Sequence, residues 1–200
     1  MAGLGGHGVG VTINNLTSLD ARIGLLWPAV VRRLLAAPTA TVALDQLMKT
    51  PLSSGHHYMI AASDEFWGVE TSGELKVVTQ RGIRSSHIHT NHCFDPVLRQ
   101  RERVGPESTT FRRMDLATDA FARMRPDSIE TLWALLHSHE GYPRSICSHV
   151  DDDLGDPSAS KTCGILAMEL AERAMVVGRG CSDFASALRL ELRPEPEATA

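Results

Sequence analysis

Between residues 56 and 92, four short segments follow one another with almost no chain to spare: HHYMIAAS, FWGVETS, ELKVVTQ and SHIHTNH. Each is rich in β-branched, aromatic or alternating apolar residues, which reads as strand. The connections at Asp64–Glu65 and Ser72–Gly73 are of hairpin length. Such short connections favour an antiparallel meander. Around them, VGVTI near the start reads as a further strand. Helical periodicity predicts helices over 25–37 and 39–50, with Pro38 breaking them and Thr39 as N-cap. Further helices are expected over 108–124 and 127–137, and strands over 162–169, 173–177 and 185–192. Residues 94–107, with Pro96, Gly105 and Pro106, read as a polar loop. This order predicts an α+β fold on mostly antiparallel sheet.

No internal repeat or linker composition interrupts the chain, so residues 1–192 read as one domain followed by a disordered tail, RPEPEATA, at 193–200. A hydrophobic content of 42% is enough to bury a core, and a formal charge of −4 argues against nucleic acid as a partner. The longest apolar run, IGLLWPAVV, is cut by Pro28 and followed by Arg32 and Arg33, so no membrane span is expected. Cys93, Cys147, Cys163 and Cys181 lie 54, 16 and 18 residues apart, matching neither a paired zinc motif nor a dense disulfide framework. With no export signal in the sequence, reduced thiols and a cytoplasmic location are expected.

The densest chemistry is in SSHIHTNHCFDP, residues 85–96. On a strand His87 and His89 would share a face, with His92 close by, and neutral imidazole binds zinc or iron. Against such a His-based metalloprotein, Asn91 is a poor ligand and no acidic partner stands at ligand spacing. Cys93 could be a nucleophile with a histidine base, but neighbouring strand residues point to opposite faces, and a small apolar role suits it better. Asn91, at a strand end, could donate a hydrogen bond to developing negative charge, although an asparagine there is also a common turn former. Gly3, Gly5 and Gly8 satisfy G-x-G-x-x-G, but a strand rather than a helix follows, which argues against dinucleotide binding. The RQRER segment at 99–103 could meet a phosphate, or form a salt-bridging face. Asp151–Asp153 reads as a solvated loop.

Three segments in order, GVGVTINNL (8–16), HTNHC (89–93) and YPRSIC (142–147), resemble the isopenicillin-N acyltransferase-like family, also called the acyl-coenzyme A:6-aminopenicillanic-acid acyltransferase family. FWGVE and MVVGRG fall where that family has equivalents, and the resemblance runs from about Gly5 to Leu192. It implies an αββα N-terminal-nucleophile hydrolase sandwich and acyl transfer or amide hydrolysis through a cysteine acyl-enzyme. In that family a precursor cuts itself before the cysteine, whose α-amino group, with an ordinary pKa of about 7.7–8.0, then serves as base. By position, Asn91 becomes an oxyanion-hole donor and Arg179 a residue that orients or balances charge. Asn14 and Glu70 become structural or pocket-lining residues. Substrates would be small amides or acyl thioesters, with a coenzyme A thioester as an acyl donor. No resident cofactor or metal is implied.

The family's nucleophilic cysteine lies upstream of the glycine-rich segment, with a strand and an aspartate-bearing turn between them. Here no cysteine precedes Cys93. The expectation is therefore the C-terminal portion of such a domain, with N-terminal strands missing from the sandwich. Its nucleophile would come from a complementary N-terminal segment of the same precursor. The alternative is an inactive remnant that binds a small ligand or a partner chain.

Overall fold

The computed structural model describes residues 2–150 and 161–192, so Asp151–Asp153 and the 193–200 tail lie outside the described residues. The architecture is mixed α+β, with a five-stranded and a three-stranded antiparallel sheet and five α-helices among the described residues. The chain divides into two compact units, one of Met1–Pro106, Leu170–Ala174 and Glu191–Ala200, the other of Glu107–Glu169 and Met175–Leu190.

In the first unit the strands are β1 (Ala2–Leu4), β2 (Gly10–Asn15), β3 (His56–Ala61), β4 (Glu65–Thr71) and β5 (Lys76–Ile83), paired in that order. Helices α1 (Trp27–Leu35) and α2 (Ala40–Lys49) lie between β2 and β3 in sequence. The expected N-cap is present: Thr39 Oγ1 accepts from Val42 N at 3.2 Å. The glycine motif is the turn of the β1–β2 hairpin, with Gly8 at φ +81 and no helix after it. Gly5 lets that turn approach α1 so closely that a Cβ there would overlap the Leu35 carbonyl oxygen.

Strand alternation sorts the sheet into two faces. Val11 pairs with Ile60 and Ile60 with Trp67, while Ile13 pairs with Tyr58 and Tyr58 with Val69. This apolar face packs on α1 and α2 through Val30, Val31, Leu34 and Leu47. The opposite face carries Thr12, Asn14, His57, Gly68 and Glu70, and it is here that the histidine-rich segment lies.

That segment is the main correction to the sequence reading. SHIHTNH is not a strand. β5 ends at Ile83, and Arg84 turns the chain with φ +50. Beyond it, the backbone is held by the Glu70 carboxylate instead of a ladder, so the apolar–polar alternation has no neighbouring strand to pair with. A short helix, α3 (Pro96–Arg99), follows, N-capped by Asp95.

The second unit contains α4 (Thr110–Met124), α5 (Ile129–Leu136), β6 (Gly164–Glu169), β7 (Ala174–Arg179) and β8 (Leu188–Glu191), the sheet order being β6–β7–β8. A capping box between Ser128 and Thr131 starts α5. Ile129 and Trp133 then pack on Ile165, Ala167 and Val176. Trp133 Nε1 donates to Ser182 O at 3.2 Å, and its ring meets Phe184 edge-on. The strand expected over 185–192 starts later, because Phe184–Ser186 form a 3-10 turn.

Leu34 is fully buried under the sheet. Leu34→Ala is expected to destabilise the protein by about 2–5 kcal/mol, measured as a lower urea midpoint at unchanged slope. A loss below about 0.5 kcal/mol would mean that the α1 face is not part of this core.

Candidate functional site

Asn14, His57 and Glu70 stand side by side on β2, β3 and β4, since Asn14 pairs with His57 and His57 with Glu70. They form a polar row across the non-helical face. His57 Nδ1 meets Asn14 Oδ1 at 3.4 Å. The His89 ring lies flat on the His57 ring, with centroids 3.6 Å apart and planes 3° from parallel. His89 Nε2 then reaches Glu70 Oε1 at 2.8 Å, with only 1% and 0% of the two side chains exposed.

Glu70 does more than hold His89. Its Oε1 also accepts from Phe94 N at 2.6 Å, and its Oε2 from Asp95 N at 2.9 Å. Burial pushes this carboxyl up, but the bonds from His89, Asp95 and Phe94 outweigh it and hold it below its ordinary value. The loop is thus pinned at both ends, by the side chain of His89 and by the backbone of Phe94 and Asp95. Asn91 lies between these anchors, and its Nδ2 donates to Asn15 O at 3.1 Å, at the end of β2. INNL and HTNHC therefore meet at one place.

Of the three histidines first considered as ligands, His89 and His92 are engaged in hydrogen bonds, while His87 Nε2 is buried without one. His89 has Nδ1 on Thr90 O at 2.6 Å and Nε2 on Glu70, and His92 Nδ1 meets Thr90 Oγ1 at 3.2 Å. His87 does lie with His89 and His57, at ring separations of 5.9 and 5.4 Å, but a loop brings it there. Gly68 makes room for this layer: a Cβ there would stand 3.0 Å from His57 Nε2 and 3.2 Å from His87 Nε2. Burial, with His89 and His87 nearby, drives the His57 value down to about 2, so its ring stays neutral.

Cys93 packs with Leu16 and Leu98 and is 3% exposed. Burial and the carboxylates of Glu102, Glu70 and Asp95 push its thiol far up, the reverse of what a nucleophile needs. Within RQRER, Arg101 pairs with Glu74 at 2.8 Å and Asp20 at 3.4 Å, a salt-bridging arrangement. Arg179 belongs to the second unit, exposed at the end of β7. One constellation escaped the sequence reading: His139, Cys147, His149 and Cys181 converge in the second unit. The local signal was His139 and Cys-Ser-His at 147–149 within one short stretch, but the fourth member, Cys181, is far along the chain and cysteine spacing alone is uninformative.

No protein-family model matches the chain, and no curated protein matches it. Among the described residues, no helix is long and apolar enough to cross a membrane.

The buried, neutral His57 makes stability depend on pH in a defined direction. Below the ordinary histidine value of 6.5 the unfolded chain takes up a proton that His57, at about 2, does not. Stability is therefore complete above about 6.5 and falls with acidification, by up to about 1.4 kcal/mol per pH unit for each such group. Glu70, held below its ordinary 4.5, adds to the loss only under about that pH. Urea unfolding at a series of pH values should show this slope between about 6.5 and 4.5, and His57→Leu should flatten it relative to the parent. An equal slope in both proteins would refute the assignment.

Proposed function

We propose that this chain forms the substrate-facing, oxyanion-stabilising portion of a cysteine-dependent acyltransferase or amide hydrolase with an αββα N-terminal-nucleophile hydrolase sandwich. What carries this reading is the meeting of INNL and HTNHC, where the Asn91 amide is anchored on Asn15 O at 3.1 Å and its loop is bound to the buried Glu70 carboxylate. A side-chain amide held this firmly can stabilise a developing negative charge without reorganising during the reaction.

In this reaction a cysteine Sγ, deprotonated by its own α-amino group, attacks the carbonyl carbon of an amide or acyl thioester. The carbonyl oxygen becomes an oxyanion facing Asn91. Its collapse expels the amine or thiol with the proton the base had taken, leaving an acyl-enzyme. Water or an acceptor amine then attacks the thioester and frees the cysteine. Cys93 and Cys147 are buried, and none of the four cysteines stands upstream of the glycine-rich segment, where the resemblance puts the nucleophile; this reading therefore assigns it to a complementary segment of the same precursor. Asn14 and Glu70 support the pocket wall, and a coenzyme A thioester is one acyl donor.

The test begins with the native protein from its source cells, in which the mature chain that carries these residues should begin with a cysteine upstream of Met1. In that protein Asn91→Ala should lower kcat by about 10²–10³-fold while leaving the thermal midpoint in place. Full activity in Asn91→Ala would remove the oxyanion role. Mature protein without an N-terminal cysteine would favour the non-catalytic, ligand-binding remnant.

A further inference from the structure

The second unit carries a convergence that acyl transfer does not use. After α5, residues 137–150 run without a helix or strand, and three of the four converging residues, His139, Cys147 and His149, lie there. The fourth, Cys181, follows β7 immediately after Gly180, whose φ is +63. One ligand-type atom from each of the four lies within 4.8 Å of all the others. His139 Nε2 is 3.1 Å from His149 Nε2 and 3.1 Å from Cys181 Sγ, and Cys147 Sγ is 3.7 Å from His149 Nε2.

Protons alone account poorly for this crowding. A ring nitrogen carries either one hydrogen or one lone pair. His139 Nε2 can therefore satisfy one of its two 3.1 Å contacts but not both. The same four atoms suit a divalent metal. Zinc bonds of about 2.3 Å to sulfur and 2.0–2.1 Å to nitrogen, arranged tetrahedrally, put the donors about 3.3–3.8 Å apart. The separations observed here need only small side-chain adjustments to match.

We propose that His139, Cys147, His149 and Cys181 form a structural zinc site. Two thiolates and two imidazoles in tetrahedral array are the donor set that selects zinc. Four protein ligands close the coordination sphere, which suits a structural centre better than a catalytic one. The surrounding contacts hold the ligands in place. Cys147 N donates to Ser138 O at 3.1 Å and His149 N to Pro143 O at 2.9 Å, while Ser148 and Thr162 exchange bonds on the far side of the loop. His137 Nε2 lies 3.1 Å from Cys181 Sγ, placed to donate to a metal-bound sulfur. Cys147 is buried, whereas Cys181 is exposed and leaves a path for the ion. The metal would tie the end of α5, the loop and the end of β7 together, a region that the Trp133 core does not itself fill.

The full chain, purified with reductant and without chelator, should contain about one zinc per molecule. Apo-protein titrated with Co²⁺ should develop the intense visible bands of a tetrahedral site together with thiolate-to-cobalt charge transfer. Zinc affinity should fall more than about 100-fold in Cys147→Ser or His149→Ala, and about 10–100-fold in His137→Ala, the range for an outer-shell partner. Cys163→Ser should keep the metal. Because single-ligand variants could unfold, the cobalt spectrum of the parent chain decides independently of them. A weak octahedral spectrum, metal well below one equivalent after zinc dialysis, or metal retained in the Cys147→Ser/Cys181→Ser double variant would overturn the proposal. So would a Cys147–Cys181 disulfide in freshly isolated protein.

Discussion

The polar face of the five-stranded sheet depends on one buried carboxylate. Glu70 enters from a strand whose other side belongs to the helical core, and it receives hydrogen bonds from one imidazole and two backbone amides. A carboxylate with no exposed side-chain surface is costly to bury unless its oxygens are satisfied. Once they are, the arrangement becomes directional. The loop from His89 to Asp95 can lie across the sheet only where these donors meet the two oxygens, and this places Asn91 beside Asn15.

The histidines around Glu70 contribute shape more than charge. His57 lies flat beneath His89 and is kept neutral by burial, while Gly68 leaves the space that the His57 and His87 rings occupy. The ring beneath is neutral His57, while both nitrogens of His89 face oxygen acceptors, so the stack buries an imidazole beside the Glu70 carboxylate without placing two cations together. The result is a closely packed platform under the Asn91 loop. Burial of neutral His57 is what makes the layer vulnerable to acid.

The two histidine-rich regions look alike in composition and differ in what their nitrogens face. In the first unit the rings stack on one another, and His89 has both nitrogens on oxygen acceptors, Glu70 and Thr90. In the second, ring nitrogens and sulfurs point at each other across distances close to those set by a shared tetrahedral ion. Composition would rank the first as the metal site, but the donor geometry favours the second.

The sequence by itself determined the antiparallel meander, because the connections at Asp64–Glu65 and Ser72–Gly73 leave no length for a crossover. It also determined the helices on either side of Pro38, whose periodicity and Thr39 cap are local properties. It drew attention to Asn91, Asn14 and Glu70 through a resemblance, without saying what they touch. Tertiary structure alone decided that SHIHTNH is a loop, since alternation specifies a strand only when a neighbour is there to pair with. It also decided that Cys93 is an inert core thiol, that Glu70 is the anchor of the Asn91 loop, and that His139 and Cys181 belong together. The physical reason is the same in each case: a hydrogen-bond acceptor, a desolvated environment or a ligand partner supplied from tens of residues away leaves no periodic trace in the local sequence.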